Sequence, residues 1–143
     1  MVDDSDFEEL SKYKWRINKV GSRIYATRTI LTERGRRGMT MHRHLTGETD
    51  RKIDIDHKDG NQLNNQRSNL RRATRSLNNA NQKISVRNLS GYKGVHFCKE
   101  RRKWVASIAS KSLGRFDVIE DAVIAYNEAA KNMWGEFARL NDI

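Results

Sequence analysis

Asp56 and His57 stand side by side in the segment IDIDHKDGNQLNNQRSNLRRATRSLNNANQ, residues 53–82, which is also dense in asparagine and arginine. Histidine titrates near neutral pH and can remove a proton from water. Aspartate and asparagine oxygens are hard ligands that suit Mg²⁺, Ca²⁺ or Mn²⁺. These residue types predict metal-assisted hydrolysis of a nucleic-acid backbone. On the residues alone, the alternative is a loop that only contacts phosphates.

Local patterns predict the elements that position this pair. Gly60-Asn61 is a tight-turn signal, so residues 53–57 are predicted to form a short strand that runs into a loop. A second short strand is predicted over residues 70–73. Thr74 is placed to cap a helix of about two turns over residues 75–82. A strand, a loop, a second strand and a helix are therefore expected in that order.

The order Asp56-His57, then Asn69 in SNLR, then Asn78 resembles the ββα-metal motif of HNH homing endonucleases, in the variant whose last histidine is asparagine. The resemblance implies that His57 is the general base and that Asp56 and Asn78 bind one divalent cation. It implies that Asn69 braces the loop and helps to orient the histidine. An asparagine ligand favours Mg²⁺ or Mn²⁺ over Zn²⁺. Asn81, one turn beyond Asn78, remains open as the alternative ligand.

Four arginines that follow the strand carrying Asp56 and His57 allow two interpretations. They could hold the phosphates that flank the scissile bond, or they could lie along the helix and face water. Because the same segment contains the proposed metal ligands, we expect at least two of them to contact DNA. These residues are Arg67, Arg71, Arg72 and Arg75.

The charge balance favours nucleic acid as the partner. The 143 residues include 28 lysines and arginines against 18 aspartates and glutamates, a formal net charge of +10. Such a charge attracts polyanions through counterion release. No apolar stretch approaches the length of a membrane span, and no helix pairs a broad apolar face with a lysine-rich face, so no membrane partner is expected. An apolar content of 36% argues against one large core and favours two small modules.

Cysteine usage and the start of the chain bear on compartment. With Cys98 as the single cysteine, neither an internal disulfide nor a structural zinc site built on cysteines is expected. Residues 1–10 are acidic and lack the basic and apolar regions of a signal peptide, so a cytoplasmic location is expected. The resemblance adds a phage or mobile-element origin inside a bacterial host. We expect residues 1–10 to be frayed and assign them no function.

The stretch before residue 53 is predicted to be mainly β. Alternation at Tyr13, Trp15 and Ile17 and a turn at Gly21 predict a β-hairpin. Residues 34–37 are predicted to form a solvated basic loop, and residues 41–45 (MHRHL) a strand that ends at Gly47. A similar hairpin and strand precede the motif in phage HNH proteins, so residues 1–84 are predicted to form one nuclease domain. Two further histidines lack adjacent carboxylates and are expected to pack or to form hydrogen bonds rather than to catalyse: His42 and His44.

Residues 85–90 are polar and are predicted to link two modules. The pattern GYKGVHFCKERRKWVASIASKSLGRF then predicts three antiparallel strands, in which Val95, Phe97 and Trp104 share a face. Asp117 followed by Glu120 predicts a capping box that opens a helix, which Gly135 ends. Alanines at helical spacing would let this helix lie close against that face of the sheet. Four aromatic residues are expected to be part of the core between them: Phe97, Trp104, Tyr126 and Trp134. The expected fold class is α+β, with a small ββα-metal nuclease domain followed by a three-stranded antiparallel sheet packed on one helix.

The strings YKGV, KWVASI, LGRFD, EDAVIAYNEAA and GEFARLN, within residues 91–143, resemble the APETALA-type DNA-binding domain of plant ethylene-response factors. The resemblance implies that the sheet enters the major groove and the helix supports it from behind. Plant domains have arginines where this chain has Lys93, His96 and Cys98, so the target sequence does not carry over. Five residues are expected on or near the DNA face by position: Lys93, His96, Lys103, Ser107 and Arg115. At the turn that precedes Lys103, Arg101 and Arg102 are expected to contact phosphates.

The function expected from these observations is a metal-dependent endonuclease of the homing type. It would cut double-stranded DNA with one Mg²⁺ or Mn²⁺ per site, and residues 91–143 would supply DNA binding and site preference. The alternative is a non-catalytic DNA-binding regulator with a vestigial HNH domain. No small-molecule substrate is expected. The choice between monomer and homodimer, and between a nick and a double-strand break, stays open.

Overall fold

Antiparallel sheets and short helices alternate along the chain, whose residues Met1–Ile143 are all described by a computed structural model. The fold is mixed α and β, with every strand pair antiparallel. Backbone contacts divide the chain into two compact units, Met1–Asn78 and Asn79–Ile143. No helix is both long enough and apolar enough to cross a membrane.

The first unit begins with a helix, α1 (Asp4–Ser11), where the sequence analysis predicted a frayed segment. That prediction is wrong because the segment has buried contacts. Leu10 and Asp6 are both buried, and the carbonyl of Leu10 accepts a hydrogen bond from Trp15 Nε1 at 2.9 Å. An acidic first turn also suits the positive end of the helix dipole.

A three-stranded sheet follows, formed by β1 (Arg16–Val20), β2 (Arg23–Thr32) and β3 (Gly35–Thr40) in that order. The predicted hairpin is therefore the first half of a larger sheet. The prediction of a loop over residues 34–37 is wrong, because Arg36 and Arg37 pair with Leu31 and Ile30 in the β2–β3 ladder. Every residue of β1 is exposed, so the alternation seen in the sequence did not mark a buried face there.

Residues 41–46 form a helix, α2 (Met41–Thr46), and not the predicted strand. His42 and Leu45 are the buried residues of this helix, and their spacing of three places them on one helical face. Five residues are too few for a period of two to be told from a period near 3.6. Gly47, with φ +64°, ends the helix in the left-handed region, as the predicted turn required.

Two short strands and the first turn of a helix complete the first unit: β4 (Asp54–His57), β5 (Leu70–Ala73) and α3 (Arg75–Ala80), whose last residues, from Asn79, belong to the second unit. The strands are antiparallel, with Asp56 opposite Arg71 and His57 opposite Leu70. The predicted order of strand, loop, strand and helix is confirmed. Thr74 Oγ1 accepts a hydrogen bond from the backbone N–H of Leu77 at 3.3 Å, as expected of a cap. The helix ends two residues earlier than predicted.

In the second unit, β6 (Val95–Cys98), β7 (Lys103–Ile108) and β8 (Lys111–Phe116) form a three-stranded sheet, and α4 (Ile119–Trp134) packs on it. The core consists of small and medium apolar side chains from the sheet and from one face of α4. Its fully buried members are Val95, Ala106, Ile108, Ala122, Val123, Tyr126 and Ala130.

Gly94 marks the closest approach between backbone and core. A Cβ atom at this position, where φ is +74°, would lie 2.1 Å from the Tyr126 ring.

Residues 85–90, predicted to be a linker, form a hydrogen-bonded turn: Asn88 Nδ2 donates to the carbonyl of Tyr92, and Ser90 Oγ donates to the carbonyl of Val95.

Two predictions for the second unit are wrong. Asp117 and Glu120 form no capping box, because α4 begins at Ile119 with no side-chain cap and Asp117 instead pairs with Lys103. Phe97 is 46% exposed and lies outside the core, where it contacts Trp104 edge to face with ring centroids 5.0 Å apart. The prediction that Gly135 ends α4 is confirmed.

Candidate active site

His57 ends β4 in a buried position, with 4% of its surface exposed. Its Nε2 atom lies 3.4 Å from Asn65 Oδ1. Because an amide oxygen can only accept, Nε2 carries the hydrogen in this contact and Nδ1 carries the lone pair. Burial lowers the pKa of His57, although the contact with Asn65 opposes that shift. The lowered pKa favours the neutral imidazole near pH 7, which is the form of histidine that can accept a proton.

The ring of His42 stands almost perpendicular to that of His57, with centroids 5.1 Å apart and an interplanar angle of 85°. His42 Nε2 also lies 3.0 Å from the hydroxyl of Thr40. Burial, reinforced by repulsion from His57, lowers the pKa of His42 to about 3. His44 packs edge-on against the aromatic ring of Tyr13. The prediction that these two histidines pack or form hydrogen bonds is confirmed.

Buried Asp56 and mostly buried Arg71 form an ion pair across the β4–β5 ladder. Arg71 Nε donates to Asp56 Oδ2 at 2.9 Å, and the two side chains are 11% and 5% exposed. Arg71 was expected to hold a phosphate, but here it holds the carboxylate that was predicted to bind the cation. The pair fixes where that carboxylate lies.

Asp54 is a member of the site that the sequence analysis did not single out. Its Oδ2 accepts a hydrogen bond from Asn78 Nδ2 at 3.0 Å and lies 3.3 Å from Arg75 Nε. Because a carboxylate cannot donate, the amide nitrogen of Asn78 faces Asp54 and the amide oxygen points away from it. Alternation along β4 puts Asp54 on the same face as Asp56. The two-residue spacing of Asp54 and Asp56 is the feature of the sequence that could have identified Asp54 as part of the site.

Asn69 braces the loop that follows β4. Its amide nitrogen donates to Asp59 Oδ1 at 3.0 Å and to the carbonyl of Asn64 at 2.8 Å, and its amide oxygen accepts from the backbone N–H of Asp59 at 3.1 Å. Burial acts to raise the pKa of Asp59, but hydrogen bonds that include those from Asn61, Asn64 and Asn69 outweigh it and lower the pKa. The side chain that contacts His57 Nε2 is that of Asn65, a residue not predicted from the sequence.

All four arginines expected near the scissile bond contact a carboxylate. The Arg71 side chain is 11% exposed, whereas the other three side chains are more than half exposed. The pairs are Arg67 with Asp6, Arg71 with Asp56, Arg72 with Glu48 and Arg75 with Asp54.

An open basic cleft of about 640 Å³ lies within the first unit, lined by Arg75 and Asp54 but not by Arg67, Arg71 or Arg72. His42, Asp54 and Asn78 lie in its wall, together with Arg23, Arg37 and Arg51. No ion pair involves the last three arginines, so they bring positive charge to the cleft. Little in the sequence indicated this cluster, because Arg23, Arg37 and Arg51 lie far apart along the chain and meet only in the folded protein.

Comparisons with known proteins add to this geometry. The family model described as HNH endonuclease matches residues 40–80. The protein named Uncharacterized HNH endonuclease L560, of Acanthamoeba polyphaga mimivirus, is 33% identical over 143 residues, covering 94% of this chain and 70% of that protein. The chain belongs to the HNH endonuclease family. Protein 3.8 of Escherichia phage T7 is 34% identical over 90 residues, covering 60% of this chain and 74% of that protein. No solved structure matches.

HNH endonucleases generally depend on a divalent metal, so the donors in this HNH region can be compared with what such a cation requires. No group of three or more histidine, cysteine, aspartate or glutamate residues is arranged to hold a metal ion. One carboxylate and one amide oxygen, from Asp56 and Asn78, instead suit Mg²⁺ or Mn²⁺, whose remaining ligands are commonly water and phosphate oxygens. Asn81 is buried beyond the end of α3, where its carbonyl accepts from Arg139 Nε at 2.9 Å.

Residues expected on the DNA face of the second unit lie in different settings. His96 and Arg115 are exposed, and both pair with Val105 from opposite sides, so they share one surface of the sheet. Arg101 and Arg102 are exposed at the β6–β7 turn. Ser107 is partly buried, and its backbone N–H donates to the carbonyl of Gly94.

Two lysines from the same set are occupied by contacts within the unit. Lys93 Nζ donates to the carbonyls of Ala80 and Gln82, at 3.0 Å for the second. Burial, followed by repulsion from Arg139, lowers the pKa of Lys93. Lys103 pairs with Asp117. The expectation that Lys93 faces DNA is therefore not supported by its placement.

Proposed function

We propose that this HNH protein is a metal-dependent endonuclease that hydrolyses phosphodiester bonds in duplex DNA. The observation that carries the proposal is the state of His57. It is buried, neutral near pH 7, held through Nε2 by Asn65, and adjacent in sequence to a carboxylate fixed by Arg71. A base poised in this way suits removal of a proton from water.

The mechanism follows from the same groups. His57 Nδ1 takes the proton from a water molecule as its oxygen attacks phosphorus in line with the leaving 3′ oxygen. Asp56 and the amide oxygen of Asn78 would hold one Mg²⁺ or Mn²⁺, and the bound cation would offset negative charge that develops on the phosphate and the leaving oxygen. Asp54 turns the amide of Asn78, and Asn69 supports the loop through Asp59.

DNA binding by the first unit is proposed to use the basic cleft. Arg23, Arg37 and Arg51 are suited to contact the backbone near the scissile phosphate, since phosphate contacts position a duplex without reading its sequence. Arg67, Arg72 and Arg75 keep exposed side chains and could add contacts only by sharing or leaving their carboxylate partners.

The second unit is proposed to act as a DNA-binding domain of the ethylene-response-factor type. Support comes from a three-stranded sheet backed by one helix, with His96 and Arg115 exposed on the surface away from α4. A separate DNA-binding unit raises the local concentration of the nuclease unit at its site. On this basis we propose a homing-type enzyme, in which the second unit supplies site preference.

A plasmid-cleavage assay with Mg²⁺, comparing the parent with His57→Ala, tests the catalytic proposal. We expect the parent to nick or linearise the plasmid and His57→Ala to be at least about 100-fold slower, which is the scale of general-base catalysis. Equal cutting by both proteins would remove His57 from the mechanism. If the parent cuts no DNA but binds it, the non-catalytic regulator with a vestigial HNH domain becomes the better description.

A further inference from the structure

We propose that the acidic N-terminal segment, residues 3–6, is a positioning element of the nuclease site. In this proposal Asp3 and Asp6 hold Arg67 and thereby fix the loop whose Asn65 orients His57. The inference rests on the proposed role of His57 as the base. It assigns a task to a segment for which the sequence suggested none.

Residues 1–6 and 65–67 are joined by a dense set of hydrogen bonds. Arg67 Nε donates to Asp6 Oδ2 at 2.8 Å, and Arg67 Nη2 donates to Asp6 Oδ1 at 2.8 Å. The backbone N–H of Arg67 donates to Asp3 Oδ2 at 2.7 Å, and that of Asn65 donates to the carbonyl of Met1 at 2.8 Å. Side chains and backbone of the loop are thus both held.

The Asp6–Arg67 pair differs from an ordinary surface ion pair. A single exposed pair contributes little to stability because water and salt screen it. Here the guanidinium contacts both carboxylate oxygens, a geometry that fixes orientation as well as distance. Asp6 is also 7% exposed, so one partner has little water to compete for it. The pair is therefore suited to holding a loop in place.

Asn65 transmits this constraint to the base. It is 1% exposed and lies two residues before Arg67, and its Oδ1 is the acceptor for His57 Nε2. At 3.4 Å this contact is already at the long end of the hydrogen-bond range, so a displacement of the loop by about 1 Å would break it. Loss of this contact would remove an acceptor that favours hydrogen on Nε2, and a ring that carries its hydrogen on Nδ1 could not remove a proton through that atom.

The opposing view is that Asp6 only masks an arginine that binds DNA. The two views predict opposite results when Asp6 is removed. A masked arginine would be released, so DNA affinity would rise and the rate of cutting by bound protein would not fall. A positioning contact would be lost, so the rate would fall while DNA affinity stayed almost constant.

The test compares the parent with Asp6→Ala, Asp6→Asn and the control Glu8→Ala, which removes one exposed acid from the same helix. Cleavage of a labelled duplex is measured in a single turnover at saturating protein with Mg²⁺, and DNA binding is measured separately in Ca²⁺. We expect Asp6→Ala to cut at least about tenfold more slowly, because small misplacements of a reacting group cost up to about 100-fold. Its Kd for DNA should stay within about twofold of the parent, a change near 0.4 kcal/mol or less.

Asp6→Asn should recover most of the rate, because its amide oxygen still accepts a hydrogen bond from Arg67. Glu8→Ala should match the parent. A rate for Asp6→Ala within twofold of the parent overturns the inference, whether or not DNA affinity rises. If Asp6→Ala fails to fold, Arg67→Lys replaces it, since lysine keeps the charge but lacks the planar fork that donates two parallel hydrogen bonds to the carboxylate, and the same loss of rate is expected.

An NMR readout separates failure of this inference from failure of the proposed function. The imidazole ¹⁵N shifts of His57 report which nitrogen carries hydrogen, and they need no cleavage. We expect hydrogen on Nε2 in the parent and a mixture in Asp6→Ala. An unchanged ¹⁵N pattern overturns the inference even if the parent proves inactive, whereas inactivity of the parent alone counts only against the proposed function.

Discussion

Replacing Asp56 by alanine should destabilise the first unit by about 3–5 kcal/mol, the usual cost of removing one partner from a buried ion pair. The magnitude follows from the burial of the pair: Asp56 is 5% exposed, and Arg71, left behind with its charge, is 11% exposed. The free energy of unfolding of a small domain is about 5–15 kcal/mol, so a loss of this size would leave the first unit only marginally stable. Loss of cutting by Asp56→Ala would then say little about metal binding.

Asp56→Asn avoids this difficulty. Its side chain has the same shape, and its amide oxygen can still accept the hydrogen bond from Arg71 Nε, so we expect it to lose about 1–3 kcal/mol. Replacing both partners, as in Asp56→Leu/Arg71→Met, should cost less than Asp56→Ala alone because no buried charge is left unpaired. Cutting with Mg²⁺ should fall sharply in Asp56→Asn, because a neutral amide is a poorer cation ligand than a carboxylate.

Urea unfolding followed by fluorescence tests this prediction, with Trp15 as the tryptophan of the first unit. The expected order of stability is parent, then Asp56→Asn, then Asp56→Ala, with the double variant above Asp56→Ala. If Asp56→Ala unfolded at the same urea concentration as the parent, the ion pair would not contribute to stability and our account of Arg71 would be refuted. If Asp56→Asn cut DNA as fast as the parent, Asp56 would not be the cation ligand.

Two further predictions concern His42 and Asp54. The folded-state pKa of His42, about 3, lies below the unfolded value near 6.5. The folding stability that depends on neutral His42 is therefore fully present above about pH 6.5 and is lost as the pH falls toward about 3. Between pH 7 and pH 5 the parent should lose about 2 kcal/mol more unfolding free energy than His42→Gln, and equal losses in urea titrations would contradict this. Asp54→Ala should weaken Mn²⁺ binding to the DNA complex about 10–100-fold in an electron paramagnetic resonance titration, because the amide of Asn78 loses its partner. Asp54→Asn, which can still accept from Asn78, should weaken it far less; equal losses in both variants would point to the charge of Asp54 and not to its hydrogen bond.

The sequence was sufficient to predict a structural element where the deciding residues lie within that element or at its ends. The β4–β5–α3 order, the cap at Thr74 and the end of α4 at Gly135 all follow from short-range chemistry. They were predictable because turn and cap residues act within about four positions of themselves. The same reasoning failed for MHRHL, where five residues could not distinguish a strand from α2.

The partners of charged residues could not be predicted from the sequence. Arg67 pairs with Asp6, which lies 61 residues away, and Arg71 pairs with Asp56 only because of the ladder register. An arginine in a DNA-binding protein is expected to face phosphate, yet a nearby carboxylate competes for it in the free protein. Asn65 was overlooked for a related reason, since several asparagines fill that loop and only the fold selects the one that meets His57.

The contacts of Lys93 have a practical consequence for dividing this protein into parts. Lys93 donates to the carbonyls of Ala80 and Gln82, and Arg139 donates to those of Ala80 and Asn81, all inside the unit Asn79–Ile143. A gene fragment that begins at residue 85 or 91 would therefore encode a C-terminal unit with an unpaired, half-buried lysine. Chimaeras that exchange this unit between relatives should take residue 79 as the junction. The exchanged segment then contains both Lys93 and the carbonyls that accept hydrogen bonds from its ammonium group.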